Sequence, residues 1–476
     1  MLEKINPFAK NVLKLGGATL FSQMVSFLIL PFLSRLYSPD DFGSFGFFLA
    51  ISTFLAVIAG FKYENAIVMS KDDIESGSLY VLSFGSTILV TIVSFLVFVL
   101  FGETIITKLG YDESAFPFYL VSLYVFVFGL TQLNKQYFNY KSQFSTISIN
   151  QIIGRTSSII PKVVFGVLKL GGIGLIIGEL LNLITQITYS VNKVKINWKR
   201  LGLKELRSTA KKYNRFPMYE LPMDFINTAA QKIPVVLMAS YFGLGFVGLY
   251  VFSNTIPRQI ITLTSQNIGG VYYRKIANQT IDYQKEKTQK LLQKLFLVGV
   301  FPFTVLTFFS QSFYEIIFSD KWIEAGLYVQ ILSPSFFILF LIKPINSALF
   351  RVLNKQNIEL YLNVLYAVLT IVVVLIAGIL ENNVLAILGI SLTGFFVWGI
   401  MLSYLLKIIK INFYSTLKNF LKYFLYSFMS ILIPLYVQFF LDIKFVFLFV
   451  ALVLSTAIYL CTLYLFDKKS IINYLK

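Results

Sequence analysis

Residues 15–61 read LGGATLFSQMVSFLILPFLSRLYSPDDFGSFGFFLAISTFLAVIAGF. Two apolar runs, 15–36 and 44–61, flank a short polar turn at Ser38-Pro39-Asp40-Asp41. Each run is near the ~20 residues that cross a hydrocarbon core of roughly 30 Å as helix. Helix is the economical conformation, because backbone groups cannot go unpaired in lipid. The turn carries a helix-start signal: Ser38 as cap, Pro39 at the first helical position, and Asp41 three residues past the cap. The stretch therefore predicts a membrane-spanning helical hairpin.

The same pattern runs through the whole chain. About fourteen apolar stretches are expected to span: 15–36, 44–61, 78–101, 116–138, 145–168, 173–192, 216–241, 245–269, 292–318, 325–350, 360–380, 384–407, 420–441 and 443–466. Hydrophobic residues make up 57% of the 476 and charged ones 13%, proportions outside the range of soluble domains. The fold class that follows is an all-α polytopic membrane protein. The first apolar run has no small-residue cleavage site after it, so it reads as a retained helix.

Charge orients the bundle. With an even number of spans both termini share a side, and with the N-terminus inside, 31 of the 41 Lys and Arg fall in inside segments against five outside. Positive residues gather on the cytoplasmic side, so both ends are predicted to be cytoplasmic. The net charge of +18 is then a matter of topology, and no nucleic-acid partner is called for. The long basic loops, Lys193–Arg215 and Gly270–Leu291, are expected to be part amphipathic helix lying on anionic headgroups. Tyr272-Tyr273 and Trp322 read as interfacial anchors.

Some chemistries drop out at once. The chain has no histidine and one cysteine, Cys461, which removes imidazole catalysis, His metal ligation and a disulfide framework. No ATP-binding loop is present, so any energy source is an ion gradient, the membrane potential or a substrate gradient. Every outside loop is short, the longest being roughly Gly102–Ala115, which argues against an enzyme with a catalytic external domain. Asp40 and Asp41 lie in the first outside loop, where some membrane glycosyltransferases hold catalytic acids, but a helix cap accounts for them.

Charges inside the spans need a reason, since each costs about 2.5–3.5 kcal/mol at the bilayer centre on insertion scales. Arg155 and Lys162 are seven residues apart on one helix and share a face. Arg258 falls mid-span, with Asn254, Thr262 and Ser265 at helical spacing. Glu220, Asp224 and Lys232 lie on the preceding span, Glu179 on the sixth, Lys343 beside Pro344 on the tenth, and Glu64 just past the second. Two readings stay open. The cations line a water-filled cavity, or they pair with carboxylates, for instance Lys162 with Glu179 and Arg258 with Glu220 or Asp224.

The chain also suggests an internal repeat. Setting Phe42-Gly43 against Val247-Gly248 aligns helix, short aromatic turn, glycine and aromatic-rich helix in both halves. The expected organisation is an N-terminal lobe at 1–192, a basic linker at 193–215, a C-terminal lobe at 216–407 and additional helices at 408–476. Parallel repeats of this kind build transporters that rock about a midplane site.

Four stretches carry a family resemblance: KLGGATLFSQMVSFLILPFLSRLYSPDDFGSFGFF (14–48), GFKYENAIVMS (60–70), QYFNYKSQFSTISINQIIGRTSSIIPKVVFGVLKLGGIGLIIGE (136–179) and ALFRVLNKQNIELYLNVL (348–365). On these the chain resembles the polysaccharide-exporting branch of the MOP superfamily, the O-antigen (lipid-linked oligosaccharide) flippases. The resemblance implies a MATE-like fold of two six-helix lobes around a central cavity plus two C-terminal helices. It implies a non-enzymatic flippase in the bacterial inner membrane, carrying undecaprenyl-pyrophosphate-linked repeat units to the periplasmic leaflet by alternating access. Polysaccharide polymerase and chain-length proteins are the protein partners it suggests. On this reading Arg155, Lys162, Lys232, Arg258 and Lys343 would meet the pyrophosphate. Glu64, Glu179, Glu220 and Asp224 would couple a proton or sodium ion, or neutralise the cations; no cofactor is implied. The resemblance singles out Arg258, since related lipid II flippases use an arginine on the eighth helix. It also exposes a departure: those relatives carry cations deep in the first helices, whereas here no basic residue lies between Lys14 and Arg35. Helix 5 or Lys62 would then supply the first lobe's charge. Two other readings compete with it, a multidrug or other cation-coupled exporter on the same fold and, less favoured by the short outside loops, a membrane polymerase or glycosyltransferase.

Overall fold

The computed structural model describes residues 7–108, 117–196, 201–440, 450 and 452–464. Among them the elements are all helical: α1 (Pro7–Leu36), α2 (Pro39–Ala56), α3 (Tyr63–Ala66), α4 (Asp73–Lys108), α5 (Phe118–Tyr140), α6 (Phe144–Val167), α7 (Gly172–Val191), α8 (Leu203–Lys212), α9 (Leu221–Ile276), α10 (Ile281–Phe318), α11 (Ile323–Val352), α12 (Gln356–Ile379), α13 (Asn383–Ile408), α14 (Phe413–Phe440) and α15 (Leu452–Tyr464), with a few single turns between. Eight of the helical stretches are long and apolar enough to cross a membrane. The expected outside loop at Gly102–Ala115 lies largely outside the described residues, as does much of the last expected span, 443–466.

α2 begins as its sequence dictates. The Asp41 carboxylate accepts hydrogen bonds from the Ser38 amide and hydroxyl, both at 2.8 Å, and the Asp41 amide donates to Ser38 Oγ at 3.2 Å. This reciprocal cap gives Asp41 the helix-starting role that the sequence predicts. α9 holds the predicted seventh and eighth spans in one run broken at Gly243, where φ is 80° and ψ 177°. Only glycine takes that backbone without strain, so the break falls where the sequence places the turn.

Two compact units emerge. The first holds the described residues up to Val251 together with Val374–Asn383. Within it α1 packs on α6, α6 on α7, α4 on α5, and α2 on both α5 and α7. α2 also meets the second half of α9 at backbone distance. A Cβ on Gly43 would stand 1.9 Å from Leu244 O, and one on Gly248 would stand 1.8 Å from Pro39 O. Each glycine abuts the residue four positions before the other, the reciprocity that a two-fold relation between the paired segments produces.

The second unit holds the described residues from Phe252 to Val373 and from Val384 onward. α10 is its centre, packed against α11 and α14. Its core is aromatic: the Phe252 ring stacks on Trp322 with centroids 3.9 Å apart and meets Phe318 edge-on at 5.0 Å. This corrects two expected interfacial anchors. Trp322 is fully buried, folded in by the single helical turn Asp320–Trp322. Tyr272 is buried too, its hydroxyl 2.6 Å from Thr288 Oγ1, while Tyr273 stays exposed. The basic segments have also condensed into helix. Lys193–Arg215 contains α8, packed on α4, and Gly270–Leu291 is mostly the end of α9 and the start of α10.

Replacing Gly43 or Gly248 with alanine forces a methyl group into backbone, which no rotamer change relieves. Overpacking of this kind costs about 1–3 kcal/mol. Each variant should lower the melting temperature of the purified protein, whereas Gly85→Ala, with open space around its Cβ position, should not. Equal melting temperatures for all three would contradict the close crossing.

Candidate functional site

Helices α5 and α6 explain why they fall outside the most apolar set: both carry polar residues on an inner face. With α1 and α7 they enclose a cavity of about 300 Å³ in the first unit. Gln132 and Lys135 reach it from α5, Asn150, Gln151 and Arg155 from α6, and Asn182 and Gln186 from α7. Ser22 and Gln23 complete it from α1. Among the described residues, two cations and no carboxylate line this space.

Four of its polar atoms are buried without a hydrogen-bond partner among the described residues: Ser22 Oγ, Gln23 Oε1, Asn150 Oδ1 and Gln151 Oε1. Each such group costs about 1–3 kcal/mol if left bare, and polar groups inside a membrane bundle mark a wet or substrate-filled path. Water or a hydroxylated ligand would satisfy them. Arg155 is held in place by donating from Nε to Ser26 Oγ at 2.5 Å, which leaves the outer guanidinium nitrogens for another acceptor.

A second cluster adjoins the cavity. Lys162 Nζ lies 2.8 Å from Glu179 Oε2, with both side chains largely buried. Asn182 donates to the other oxygen of Glu179 at 3.0 Å, and Gln186 donates to Asn182 at 2.8 Å. The chain Gln186–Asn182–Glu179–Lys162 thus runs from the cavity wall to a buried ion pair. Of the two open readings for Lys162, the structure takes the pairing with Glu179.

The third cluster forms at the exit from α2. Phe61 and Lys62 adopt left-handed backbone, with φ 47° and 62°, a strained conformation for non-glycine residues that tends to gather at functional sites. It carries the Lys62 ammonium to within 2.7 Å of Asp224 Oδ2. Two residues on, the buried Glu64 carboxylate accepts from Ser83 Oγ at 3.3 Å. Asn65 donates to Glu220 and accepts from Gln136 at 3.0 Å. Glu220 sits in a π-helical turn, Phe216–Glu220, that leads into α9. Asp224 and Glu220 therefore take Lys62 and Asn65 as partners, not the arginine that the sequence had offered. Lys232 is half-buried further along the same helix.

In the second unit Arg258 is exposed, and its Nε donates to Asn254 Oδ1 at 2.9 Å, one turn earlier. Its guanidinium lies 5.9 Å from the Phe336 ring. Among the described residues it forms no ion pair. Lys343 on α11 is exposed as well, near the Glu359 carboxylate that accepts from Asn346 at 3.1 Å. An apolar cavity of about 790 Å³ lies between α10, α11, α13 and α14, walled by residues such as Phe303, Phe337, Phe396 and Phe420.

The structure thus brings Arg155 together with Lys135 and a set of amides that the charge reading had passed over. Their signal was present in the sequence: Asn182 and Gln186 four apart, and Asn150-Gln151 four to five before Arg155, are costly residues for an apolar span.

The profile of a family described as polysaccharide biosynthesis protein matches residues 32–327. The chain is similar to the succinoglycan biosynthesis transport protein ExoT of Rhizobium meliloti (strain 1021), 22% identical over 262 residues, which is 53% of this chain. That match spans 52%, about half, of the relative's length. Among solved structures it is similar to the lipid II flippase MurJ in an inward closed conformation, with a TM-score of 0.75 at 15% identity over 96% of this chain and 99% of that one. It is also similar to a multidrug resistance MATE family transporter of the MOP superfamily in an inward-facing conformation, with a TM-score of 0.63 at 11% identity over 83% of this chain and 98% of that one. These likenesses give the fold, a multi-pass helical membrane protein of the MOP type, as the sequence implied.

The Lys162–Glu179 pair makes a clear energetic prediction. Removing one partner of a buried pair strands the other charge, at a cost on the order of 3–5 kcal/mol, while replacing both with apolar side chains of similar volume is near neutral. Glu179→Leu should therefore destabilise the protein strongly, and Lys162→Met with Glu179→Leu should recover much of the loss in a thermal melt. A double variant no better than the single one would count against the pair.

Proposed function

The chain belongs to the polysaccharide biosynthesis protein family, and from that premise we propose that it is a flippase for lipid-linked oligosaccharides. Its cargo would be undecaprenyl-pyrophosphate-linked repeat units of O-antigen or another surface polysaccharide. These move from the cytoplasmic to the periplasmic leaflet of the bacterial inner membrane as the two lobes alternate in access. Both termini would be cytoplasmic, in keeping with the charge bias.

The observation that carries the proposal is the composition of the first unit's cavity. Sugar hydroxyls are donors and acceptors at once, and the cavity offers unpartnered amide and hydroxyl oxygens to them. Pyrophosphate is an anion, and among the described residues the cavity lining offers Arg155 and Lys135 and no carboxylate; Glu179, which acts on Arg155 from behind the wall, is held by Lys162 and Asn182. A guanidinium presents paired donors that suit phosphate oxygens. Arg258, fixed by Asn254, is the second unit's counterpart in this reading. The apolar cavity bounded by α10, α11, α13 and α14 has the right chemistry for part of an isoprenoid chain, since nothing polar is needed to hold one. A cation exporter on the same fold would be expected to place carboxylates on the cavity lining, whereas the described lining carries none and Glu179 is paired with Lys162.

Coupling falls to the carboxylates. Glu64, buried beside Ser83, and Glu220, bonded to Asn65, suit the role better than Glu179, since protonating Glu179 would strand Lys162.

In cells whose surface polysaccharide depends on this protein, Arg155→Ala and Arg258→Ala should each cut export by at least about tenfold, the effect of losing some 1.4 kcal/mol of charge-assisted binding. The protein should remain in the membrane at its usual level. Full export from both variants would remove the proposed site.

A further inference from the structure

We propose that the lysine-lined cavity between the end of α9 and the start of α10 binds the phosphate of an anionic phospholipid. The cavity measures about 600 Å³ and lies within the second unit. Lys287, Lys290 and Lys294 line it from α10, at spacings of three and four that put them on one helix face, and Lys275 lines it from the last turn of α9.

A bias of lysines toward the cytoplasmic surface explains their presence there but not their convergence. Flexible lysines on a convex surface spread apart to weaken their repulsion. These four instead surround one concavity, and among the described residues no carboxylate lines it. The nearby Glu286 hydrogen-bonds Lys290 at 2.6 Å and lies 3.6 Å from Lys287, one carboxylate shared by two of the lysines. A bound anion would add to that compensation.

The walls are built rather than loose. Tyr272 is buried, with its hydroxyl bonded to Thr288, which ties α9 to α10 beside the cavity. Tyr423, also buried, closes it from α14. Beside the lysines the lining is apolar, with Ile268, Val271, Leu291 and Leu297. Cationic and apolar side chains around one cavity match an amphiphile with an anionic head, and basic pockets between helices at the cytoplasmic surface suit such headgroups. A free nucleotide or inorganic phosphate would leave the apolar part of the lining unused. The site is separate from the cavity assigned to the cargo, so it stands or falls independently of the flippase reading.

The test is native mass spectrometry of the full-length protein released from nanodiscs that contain phosphatidylethanolamine with phosphatidylglycerol or cardiolipin. The wild type should retain the anionic lipids in preference to phosphatidylethanolamine. Because each lysine near a charged surface adds to the attraction, K275Q/K287Q/K290Q/K294Q should lose that retention by about tenfold or more. The matching four-arginine variant should keep it, and so should K204Q/R207Q/K211Q, which removes charge from α8 instead. If the four-glutamine variant does not give a monodisperse peak, K275Q/K294Q serves in its place, with a smaller but measurable loss expected. Unchanged retention in the glutamine variants, an equal loss in the α8 variant, or equal retention of phosphatidylethanolamine would overturn the proposal. Full displacement of the lipid by millimolar inorganic phosphate would also overturn it, in favour of a small-anion pocket.

Discussion

The structure depends on one constraint: a polar group inside a helical bundle must be matched by a partner or by something brought in from outside. Lipid supplies no hydrogen bonds, and transfer of an unpaired polar group into an apolar medium costs several kcal/mol. The first unit answers this constraint in two ways. Lys162 with Glu179 and Lys62 with Asp224 satisfy each other. Ser22, Gln23, Asn150 and Gln151 each bury an oxygen that has no partner among the described residues, around a space large enough for solvent or ligand. The first group ties helices to one another, and the second lines a cavity that solvent or a ligand would complete.

This division explains which parts of the molecule could be read from its sequence. Local signals were legible because they act over a few residues. The Ser38–Asp41 cap, the break at Gly243 and the helical runs all follow from hydropathy, capping chemistry and a glycine. The offset that sets Gly43 against Gly248 was legible as a weak repeat, and the structure gives it a physical cause. Both positions lie where backbone meets backbone, so neither tolerates a side chain.

Partners were harder to read, because they depend on which helices meet. The sequence placed Lys162 and Glu179 on consecutive spans and so left their pairing open. It could not foresee that left-handed backbone at Phe61 and Lys62 would aim an ammonium group at Asp224, since bulky residues give no warning of positive φ. Trp322 misled for a related reason. An aromatic residue near a span end has the composition of an interfacial anchor, and only the turn at Asp320–Trp322 reveals that it stacks inside on Phe252. The cavity's amides went unread because a search for charge passes over neutral polar residues, although each of them costs free energy in the same medium.

The constraint also decides what the cavity can accept. Two unit charges 4 Å apart interact by about 4 kcal/mol at an effective dielectric constant near 20, so the sign of the lining dominates selectivity. A cation entering between Arg155 and Lys135 would meet two like charges, and Glu179, the carboxylate that acts on Arg155, is already held by Lys162 and Asn182. Turning Glu179 away from Lys162 would strand that largely buried ammonium. An anion meets attraction, and if it also carries hydroxyl groups it satisfies the orphaned oxygens that water would otherwise hold. The carboxylates that paired away from the cavity are therefore as important to its selectivity as the cations that face it.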